Sequence, residues 1–483
     1  MSAVVGIDVG TTGVKGLAID PDGTVLARSE RVYPLSTPEP GWAEQDPQDW
    51  WSAADAVLAE LRTQTGTPSG IGLSGQMHGL VALDSRERVL RPAILWNDQR
   101  TAAECAEIER TLGFERLVEL TGNRALPGFT APKLLWLRRH EPDVYARIAH
   151  VLLPKDYVRL KLCGVRATDV ADASGTLLLD VADRRWSNEV LEAFEFDSEW
   201  LPRLLESPAT SGHTSDDVAI AAGAGDQAAG AVGVGVDRTG PLSIVLGTSG
   251  VVFAALPKFA ADPQARVHAF CHAIPGSWHA MGVMLSAAGS LRWLQRVVGA
   301  SYDELLAEAA AWPAAVEGLL FLPYLAGERT PHADPGARGA FVGLELRHDR
   351  GALVRAVLEG VAFGLRDSLD LVRELGVLPA LGRVSGGGAR SDLWLQIVAS
   401  VLELPLERVA VDEGAAFGAA ILGGVAGGVW GGVHEAVAAT VRATEQIEPV
   451  PEWVEVYRER RERYRALYPA LRGPESLRNK PRR

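Results

Sequence analysis

Residues 223–230 read Gly-Ala-Gly-Asp-Gln-Ala-Ala-Gly and follow the apolar run 218–222. The glycines before Asp226 allow a sharp turn and a close approach of the backbone to a ligand. The small-residue segment from Ala228 to Val236 predicts a helix. An acidic residue at a helix start is most often an N-cap, because its carboxylate accepts backbone N–H bonds. Taken alone, the stretch therefore favours capping over catalysis for Asp226.

The bulk properties describe a soluble protein of 483 residues, a length that suggests about two to four domains. A net charge of −13 argues against a broad nucleic-acid surface, but it leaves room for nucleotide binding. Cys105, Cys163 and Cys271 are widely spaced, which excludes a disulfide framework and predicts a reducing cytoplasm. The uncharged stretch Gly414 to Val433 is long enough to span a bilayer, yet its glycine and alanine content favours a packed helix with its loops.

A polar turn separates two apolar runs at the N-terminus. Val4 to Val9 is followed by Gly10-Thr11-Thr12-Gly13, and a second apolar run carries Lys15. This pattern predicts strand, turn and strand. The turn offers backbone N–H groups and two hydroxyls to an anion, and Asp8 at the strand end could organise Mg²⁺ through its water shell. We therefore predict a phosphate site, with an ordinary meander edge as the alternative.

The same pattern recurs in the second half of the chain. Gly247-Thr248-Ser249-Gly250 lies between two apolar runs, and aligning the turns sets Asp8 against Val245. Two related halves, each with a phosphate turn, would close around one nucleotide. The polar loop 237–239 predicts a boundary between domains 1–237 and 238–483.

Further polar groups follow apolar strands in the first half. The segment 74–79 delivers Met77 and His78, and the segment 95–100 delivers Trp96. A lone histidine is usually structural, but this one stands between glycines at a turn, so we expect these residues to contact a small polar ligand. Asp169 and Asp172 could be read as a carboxylate dyad, although capping and turn bonds are the expected use.

A triple glycine, 386–388, links a predicted strand to a helix that begins near Asp392. Its backbone could contact a flat or anionic ligand. The spacing is neither a GxGxxG fingerprint nor a Walker motif, which excludes the Rossmann and P-loop interpretations. Long amphipathic helices are predicted at 47–63, 350–375 and 451–471, and the basic end 478–483 is expected to be a solvated tail.

Together these segments resemble the FGGY family of carbohydrate kinases over nearly the whole chain. The resemblance rests on ten motifs in order: GIDVGTTGVK (6–15), SGQMHG (74–79), LWNDQR (95–100), TGN with PGFTAPKLLW (121–136), LLPKDY with DASGT (152–176), GAGDQAAGAVG (223–233), LGTSGVVF (246–253), YLAGERTPH (324–332), FVGL with AVLEG (341–360) and SGGGARSDLW (385–394).

The resemblance implies an α/β fold with two ribonuclease-H-like domains of the actin-like ATPase superfamily and a ligand cleft between them. It implies ATP-dependent, Mg²⁺-assisted phosphorylation of D-xylulose at its C5 hydroxyl, in the cytoplasm, with no nucleic-acid or membrane partner and a homodimer left open. By position it assigns the base to Asp226, the metal side to Asp8, sugar contacts to Met77, His78, Trp96, Asp226 and Gln227, and nucleotide contacts to Thr11, Thr12, Lys15, Gly247, Thr248, Gly387, Gly388 and Asp392.

Two positions depart from the family pattern. Gln227 stands where Asn is common in the ketose kinases of the family, and Ala399-Ser400 replaces Ala-Asp.

The alternatives to a D-xylulose kinase are a kinase for another ketose or polyol, such as ribulose, and a non-enzymatic actin-like ATPase or sugar sensor. At the start of a helix, Asp226 is expected to have its pKa held low and to be ionised at neutral pH.

Overall fold

The computed structural model describes residues 3–411 and 413–472. The basic end 478–483 lies outside the described residues, so the expected solvated tail stays a prediction. The first part of the chain forms β1 (Val4–Val9), β2 (Gly13–Ile19), β3 (Val25–Val32), β4 (Glu44–Gln45), α1 (Pro47–Thr65), β5 (Gly70–Gly75), β6 (Val81–Leu83), β7 (Ala93–Ile94), α2 (Ala102–Leu112), α3 (Phe114–Thr121), α4 (Thr130–His140), α5 (Pro142–Tyr145), β8 (His150–Leu152), α6 (Pro154–Cys163), β9 (Ala167–Asp169), α7 (Val170–Ser174), β10 (Leu179–Asp180), β11 (Arg185–Trp186), α8 (Asn188–Ala193), β12 (Arg203–Leu205), β13 (Thr210–His213), β14 (Ala219–Ala221), β15 (Ala224–Gly225) and α9 (Asp226–Gly233).

The second part forms β16 (Pro241–Leu246), β17 (Gly250–Leu256), β18 (His268–Cys271), β19 (Trp278–Met284), α10 (Ala288–Val298), α11 (Tyr302–Ala310), β20 (Leu320–Leu322), β21 (Ala340–Val342), α12 (Arg350–Glu374), β22 (Leu381–Ser385), α13 (Asp392–Leu402), β23 (Leu406–Val409), α14 (Gly414–Ala426), α15 (Val433–Thr440), β24 (Ala443–Ile447) and α16 (Pro451–Leu471). The three predicted long helices are confirmed as α1, α12 and α16.

Two seven-stranded sheets organise these elements. The first has the order β13-β14-β5-β1-β2-β3, with β15 also beside β5, and the second has the order β18-β19-β17-β16-β22-β23-β24. In the first sheet, β1 pairs with β2 in an antiparallel hairpin and with β5 in parallel. In the second sheet, β16 pairs in the same way with β17 and with β22. The internal repeat predicted from the two turns is therefore a repeat of the sheet plan.

Helix α14 joins the two parts of the molecule. It follows β23 of the second sheet, yet it packs on β1 and β5 of the first sheet and crosses α9. A Cβ on Gly72 would stand 1.7 Å from the carbonyl oxygen of Ala419, and a Cβ on Gly418 would stand 1.8 Å from that of Ala229. The small residues of the uncharged stretch therefore serve close backbone packing, as predicted.

No helix within the described residues is both long enough and apolar enough to span a membrane. The large apolar side chains instead form buried clusters, and one of these lies between the two sheets. It brings Met77 and Phe129 of the first part against Phe253, Phe270 and Met281 of the second part. This contact places the sugar-side loop predicted at 74–79 against the second sheet.

Candidate active site

Three parallel strand ends bring the two candidate carboxylates together. Asp8 on β1 lies opposite Ser74 on β5, and Ser74 lies opposite Ala224 on β15, two residues before Asp226. The Ser74 hydroxyl donates a 3.0 Å hydrogen bond to Asp8 Oδ1. Burial raises the pKa of Asp8, and this hydrogen bond and the Lys15 ammonium oppose the rise. Parallel pairing, which joins segments far apart in the sequence, thus builds the acidic centre of the site.

The expected cap role of Asp226 is wrong. Helix α9 begins at Asp226 itself, Gly225 occupies the N-cap position, and no side-chain capping bond is made there. The carboxylate instead accepts a 3.4 Å hydrogen bond from the Gln227 side-chain amide. Burial, and then the negative charge of Asp8, raise the pKa of Asp226 to about 7, which overturns the expected low value. Desolvation and a neighbouring carboxylate outweigh the helix N-terminus because both disfavour the charged form.

The first polar turn is held by buried amide side chains. The Thr11 hydroxyl donates to Gln76 Oε1 at 3.1 Å and accepts from Trp96 Nε1 at 2.9 Å. The Gln45 side chain donates to the Thr11 carbonyl at 2.7 Å. The Thr11 hydroxyl is therefore engaged within the protein, whereas Thr12 is exposed. Sequence reasoning missed Gln45, and it expected Gln76 to face a small polar ligand, whereas Gln76 binds Thr11; both contacts join distant segments of the chain.

The sugar-side loop holds His78 in an unusual conformation. His78 has φ 71°, in the left-handed region that costs a non-glycine residue roughly 1–2 kcal/mol. Its Nδ1 lies 2.6 Å from the Gly175 carbonyl oxygen, so Nδ1 carries the proton and donates. Burial lowers the pKa of His78 to about 3. The neutral ring therefore keeps Nε2 as an acceptor that can take a hydrogen bond from a hydroxyl.

Met77 belongs to this loop, and Trp96 contacts the first polar turn. Met77 is buried, and a Cβ on Gly225 would stand 2.7 Å from its Cγ, so Met77 packs directly against the residue before Asp226. Trp96 is 37% exposed and binds the first turn through its indole nitrogen. Asp98, from the same motif as Trp96, is fully buried and forms an ion pair with Arg100, which is a structural role.

The expectation that Asp169 and Asp172 serve capping and turn bonds is confirmed in part. Asp169 caps α7 by accepting from the backbone N–H groups of Ala171 and Asp172. Both carboxylates also contact the buried Lys155 ammonium, Asp169 at 2.8 Å and Asp172 at 3.0 Å. Burial is the first cause that raises the pKa of Asp172, to about 8. The pair is thus part of a buried ion cluster.

The second turn and the triple glycine lie side by side. Strands β16 and β22 are parallel neighbours with Val245 opposite Ser385, so Gly247-Thr248 and Gly387-Gly388 leave the sheet at the same edge. Gly386 has φ 87°, and a Cβ there would stand 2.9 Å from the Leu246 carbonyl group. Asp392 begins α13 and pairs with Arg408 at 2.6 Å. The candidate nucleotide residues of the second part therefore share one edge.

Two sheets with a repeated plan, each with a polar turn after its first strand, and a carboxylate pair at the strand ends of the first sheet are typical of an α/β phosphotransferase of the actin-like ATPase type. The chain belongs to the FGGY family of carbohydrate kinases. The model of the family's N-terminal domain matches residues 3–238, and that of its C-terminal domain matches residues 242–427.

Relatives of known name agree with this assignment. The chain is similar to the xylulose kinase of Escherichia coli (45% identity, covering 86% of this chain and 88% of that protein). It is also similar to the xylulose kinase of Bacillus subtilis (40% identity, 87% of each chain). Among solved structures, a xyloylose kinase from Brucella ovis matches with a TM-score of 0.93 and 43% identity over 97% of this chain and 99% of that chain.

Proposed function

We propose that this kinase transfers the γ-phosphoryl group of ATP to the C5 hydroxyl of D-xylulose, giving D-xylulose 5-phosphate. The proposal draws its substrate from relatives that are 40–45% identical and bear the name xylulose kinase. The observation that carries it is the position of Asp226, next to Asp8 and directly after Gly225, which packs against Met77 of the sugar-side loop. A base with a pKa near neutral suits proton transfer from an alcohol at neutral pH.

The mechanism assigns each part of the site a separate task. His78 Nε2 and the Gln227 amide orient the sugar, and Asp226 accepts the C5 hydroxyl proton as the O–P bond forms. Phosphoryl transfer passes through a loose transition state, so positioning and charge neutralisation provide most of the catalysis. Backbone N–H groups of the two turns, the exposed Thr12 hydroxyl and the Lys15 ammonium would neutralise the phosphate oxygens.

Mg²⁺ fits the donor set of the site. Carboxylate oxygens are the hard ligands that this ion prefers, usually through retained waters. Asp8, half-buried beside Asp226, is the residue that would hold it, and the ion would supply charge neutralisation for the phosphates. Within residues 3–411 and 413–472, no group of three or more His, Cys, Asp or Glu side chains is arranged to hold a metal ion.

The second candidate is a kinase for another ketose or a polyol. Gln227 is one residue from the base and donates to it, so a change of side-chain length at this position would change the room for the sugar. A structural neighbour at 26% identity, with a TM-score of 0.92, is a gluconate kinase from Lactobacillus acidophilus. A sugar sensor without activity would not need the carboxylate pair.

A sugar panel tests the substrate. Purified protein is assayed by coupled ADP release with D-xylulose, L-xylulose, D-ribulose, L-ribulose, gluconate and glycerol at several concentrations. We expect the highest kcat/KM with D-xylulose. A higher kcat/KM with ribulose or gluconate would identify that sugar as the substrate instead. If none of the sugars raised ADP release above the sugar-free rate, the kinase assignment would be wrong.

We also propose a division of labour and a cellular setting. Residues 1–237 would carry the sugar, the base and the first phosphate turn, and residues 238–483 would carry the nucleotide. The three free cysteines, of which Cys105 and Cys271 are buried, suit a reducing cytoplasm. A homodimer is the oligomeric state we would test by light scattering.

A further inference from the structure

The motif 127–136 contains a buried lysine that the reaction does not use. Lys133 is fully buried in the first turn of α4, and its Nζ donates to the carbonyl oxygens of His78 at 2.8 Å and Gly128 at 2.7 Å. Among the described residues, no Asp or Glu oxygen lies within 4.0 Å of this ammonium. A buried cation without a carboxylate partner is rare in folded proteins because its desolvation is not compensated.

The position is unfavourable to a cation in two further respects. Lysine near a helix N-terminus opposes the helix dipole, which favours negative charge there. Burial lowers the pKa of Lys133 to about 7, with the Arg100 charge acting in the same direction and with Asp98 and Cys105 opposing it. Sequences break such local rules mainly at functional sites.

Both of its acceptors belong to segments that form the sugar side. The first is the carbonyl of His78, the residue with the left-handed backbone, and the Thr130 hydroxyl donates to the same oxygen at 3.0 Å. The second belongs to Gly128, where a Cβ would stand 2.4 Å from the carbonyl oxygen of Trp96. The neighbouring Phe129 ring meets the His78 ring edge-on at 4.7 Å. One ammonium therefore ties the His78 loop to the turn that supports Trp96.

We propose that Lys133 is a positioning residue for the sugar: by holding the carbonyl oxygens of His78 and Gly128, it keeps the loop 77–79 in the conformation that presents His78 to the cleft. The inference rests on the proposed function, because it takes His78 as a sugar contact. Lys133 would touch neither the sugar nor the phosphate, because its ammonium donates to the two backbone carbonyls. Its loss weakens sugar binding and leaves Asp226 and the nucleotide residues in place.

The first test replaces Lys133 by methionine, which keeps the apolar stem and removes the ammonium. We expect the sugar KM to rise by about 10–100-fold, the range for losing hydrogen bonds to a charged donor. We expect kcat and the ATP KM to change by less than about threefold, since no group at the base or the turns is lost. Lys161→Met, at an exposed lysine of α6, is the matched control and should leave all three constants unchanged.

A second pair of variants avoids the buried charge. Thr130→Val removes the other donor to the His78 carbonyl with little change of shape, and Thr130→Ser keeps it. We expect Thr130→Val to raise the sugar KM by about 3–10-fold, as for one neutral hydrogen bond, and Thr130→Ser to behave like the wild type. This pair decides the question if Lys133→Met does not fold.

Hydrogen exchange separates positioning from a general loss of structure. In Lys133→Met, amides 77–80 should exchange faster, while amides of α12, distant in the second part, should keep their wild-type protection. An unchanged sugar KM in Lys133→Met, whether kcat stays the same or falls, would overturn the proposal. If the wild type prefers another sugar of the panel, the substrate assignment fails by itself, and the same comparison is made with that sugar.

Discussion

The turn Gly10–Gly13 joins β1 to β2, and the turn Gly247–Gly250 joins the equivalent strands β16 and β17 of the second sheet. In the register of the two hairpins, Asp8 is paired with Lys15, whereas Val245 at the equivalent position is paired with Val251. The two hairpins thus share a backbone plan, but only the first carries charged side chains, Asp8 and Lys15, at these positions.

The two turns are also supported differently. Side chains of Gln45, Gln76 and Trp96 bind Thr11 in the first turn. In the second turn, backbone N–H groups at the start of α10 bind the carbonyls: Ala288 donates to Gly247 at 2.8 Å and Ala287 donates to Thr248 at 2.9 Å. The two turns share a backbone plan, and under the proposed function the first would serve the chemistry and the second would bind the nucleotide. Substitutions in the first should therefore change kcat or the sugar KM, and those in the second the ATP KM.

The largest effect is expected for Asp226→Ala in the first part. Without the base, kcat should fall by about 10²–10⁴, the usual contribution of general acid–base catalysis. ATP affinity, measured by isothermal titration calorimetry, should stay within about twofold. Asp303→Ala, at an exposed residue of α11, is the control. Turnover of the Asp226 variant at the wild-type rate would show that Asp226 is not the catalytic base.

Asp8→Asn tests the asymmetry of the two turns. Loss of this carboxylate should lower kcat by about 10²–10³, as for other preorganised charged groups, and should raise the Mg²⁺ concentration needed for half-maximal rate. Val245→Asn, at the equivalent position of the second turn, should lower kcat far less. Equal losses in the two variants would mean that the halves share the chemistry.

For His78→Asn we expect a sugar KM about 10–100-fold higher and an unchanged ATP KM. Asparagine tolerates the left-handed backbone, so the imidazole is removed without loss of the loop conformation. Loss of the imidazole leaves a buried sugar hydroxyl without its partner, which costs more than the bond itself contributes and accounts for roughly this factor. Initial rates at varied sugar and saturating ATP measure it, and an unchanged sugar KM would exclude the contact.

Gly387→Ala addresses the nucleotide side. No heavy atom of the described residues lies within 4 Å of where its Cβ would stand, so the fold itself should accept the methyl group. If the triple glycine borders the nucleotide, the ATP KM should rise about tenfold, as for one methyl group too many in a fitted site. Gly432→Ala is the control, because its Cβ position is equally open among these residues. An unchanged ATP KM would place the nucleotide elsewhere.

The pH dependence tests the same pair of carboxylates without a substitution at the base. Because the pKa of Asp226 is raised to about 7, the carboxylate is charged above this pH and protonated below it. In the wild type, kcat/KM for the sugar should be highest above pH 7 and fall by about tenfold per pH unit below it. The Asp8 charge contributes to the shift, so the acidic limb of residual activity in Asp8→Asn should move to lower pH. A flat profile between pH 5 and 8 would contradict the assignment.

Local sequence patterns were sufficient to predict the long helices and the two polar turns. The predicted helices 47–63, 350–375 and 451–471 match α1, α12 and α16 within two residues at each end, because their apolar spacing and end residues are local signals. The lack of large side chains in the glycine-rich stretch 414–433 predicts close packing, and α14 packs on β1 and β5. Lys133 gave no comparable signal, since its acceptors at 78 and 128 are carbonyl groups that any residue possesses.

Asp226 shows which properties of the site the sequence determines and which depend on the folded structure. The sequence by itself determined that an acidic residue follows a glycine turn at the start of a helix, and that two Gly-Thr turns recur in the chain. Only the tertiary structure decided the charge state of Asp226, because its raised pKa depends on desolvation and on Asp8, which parallel pairing through β5 brings near. Electrostatic energy depends on distance and on solvent access, and both are properties of the folded molecule.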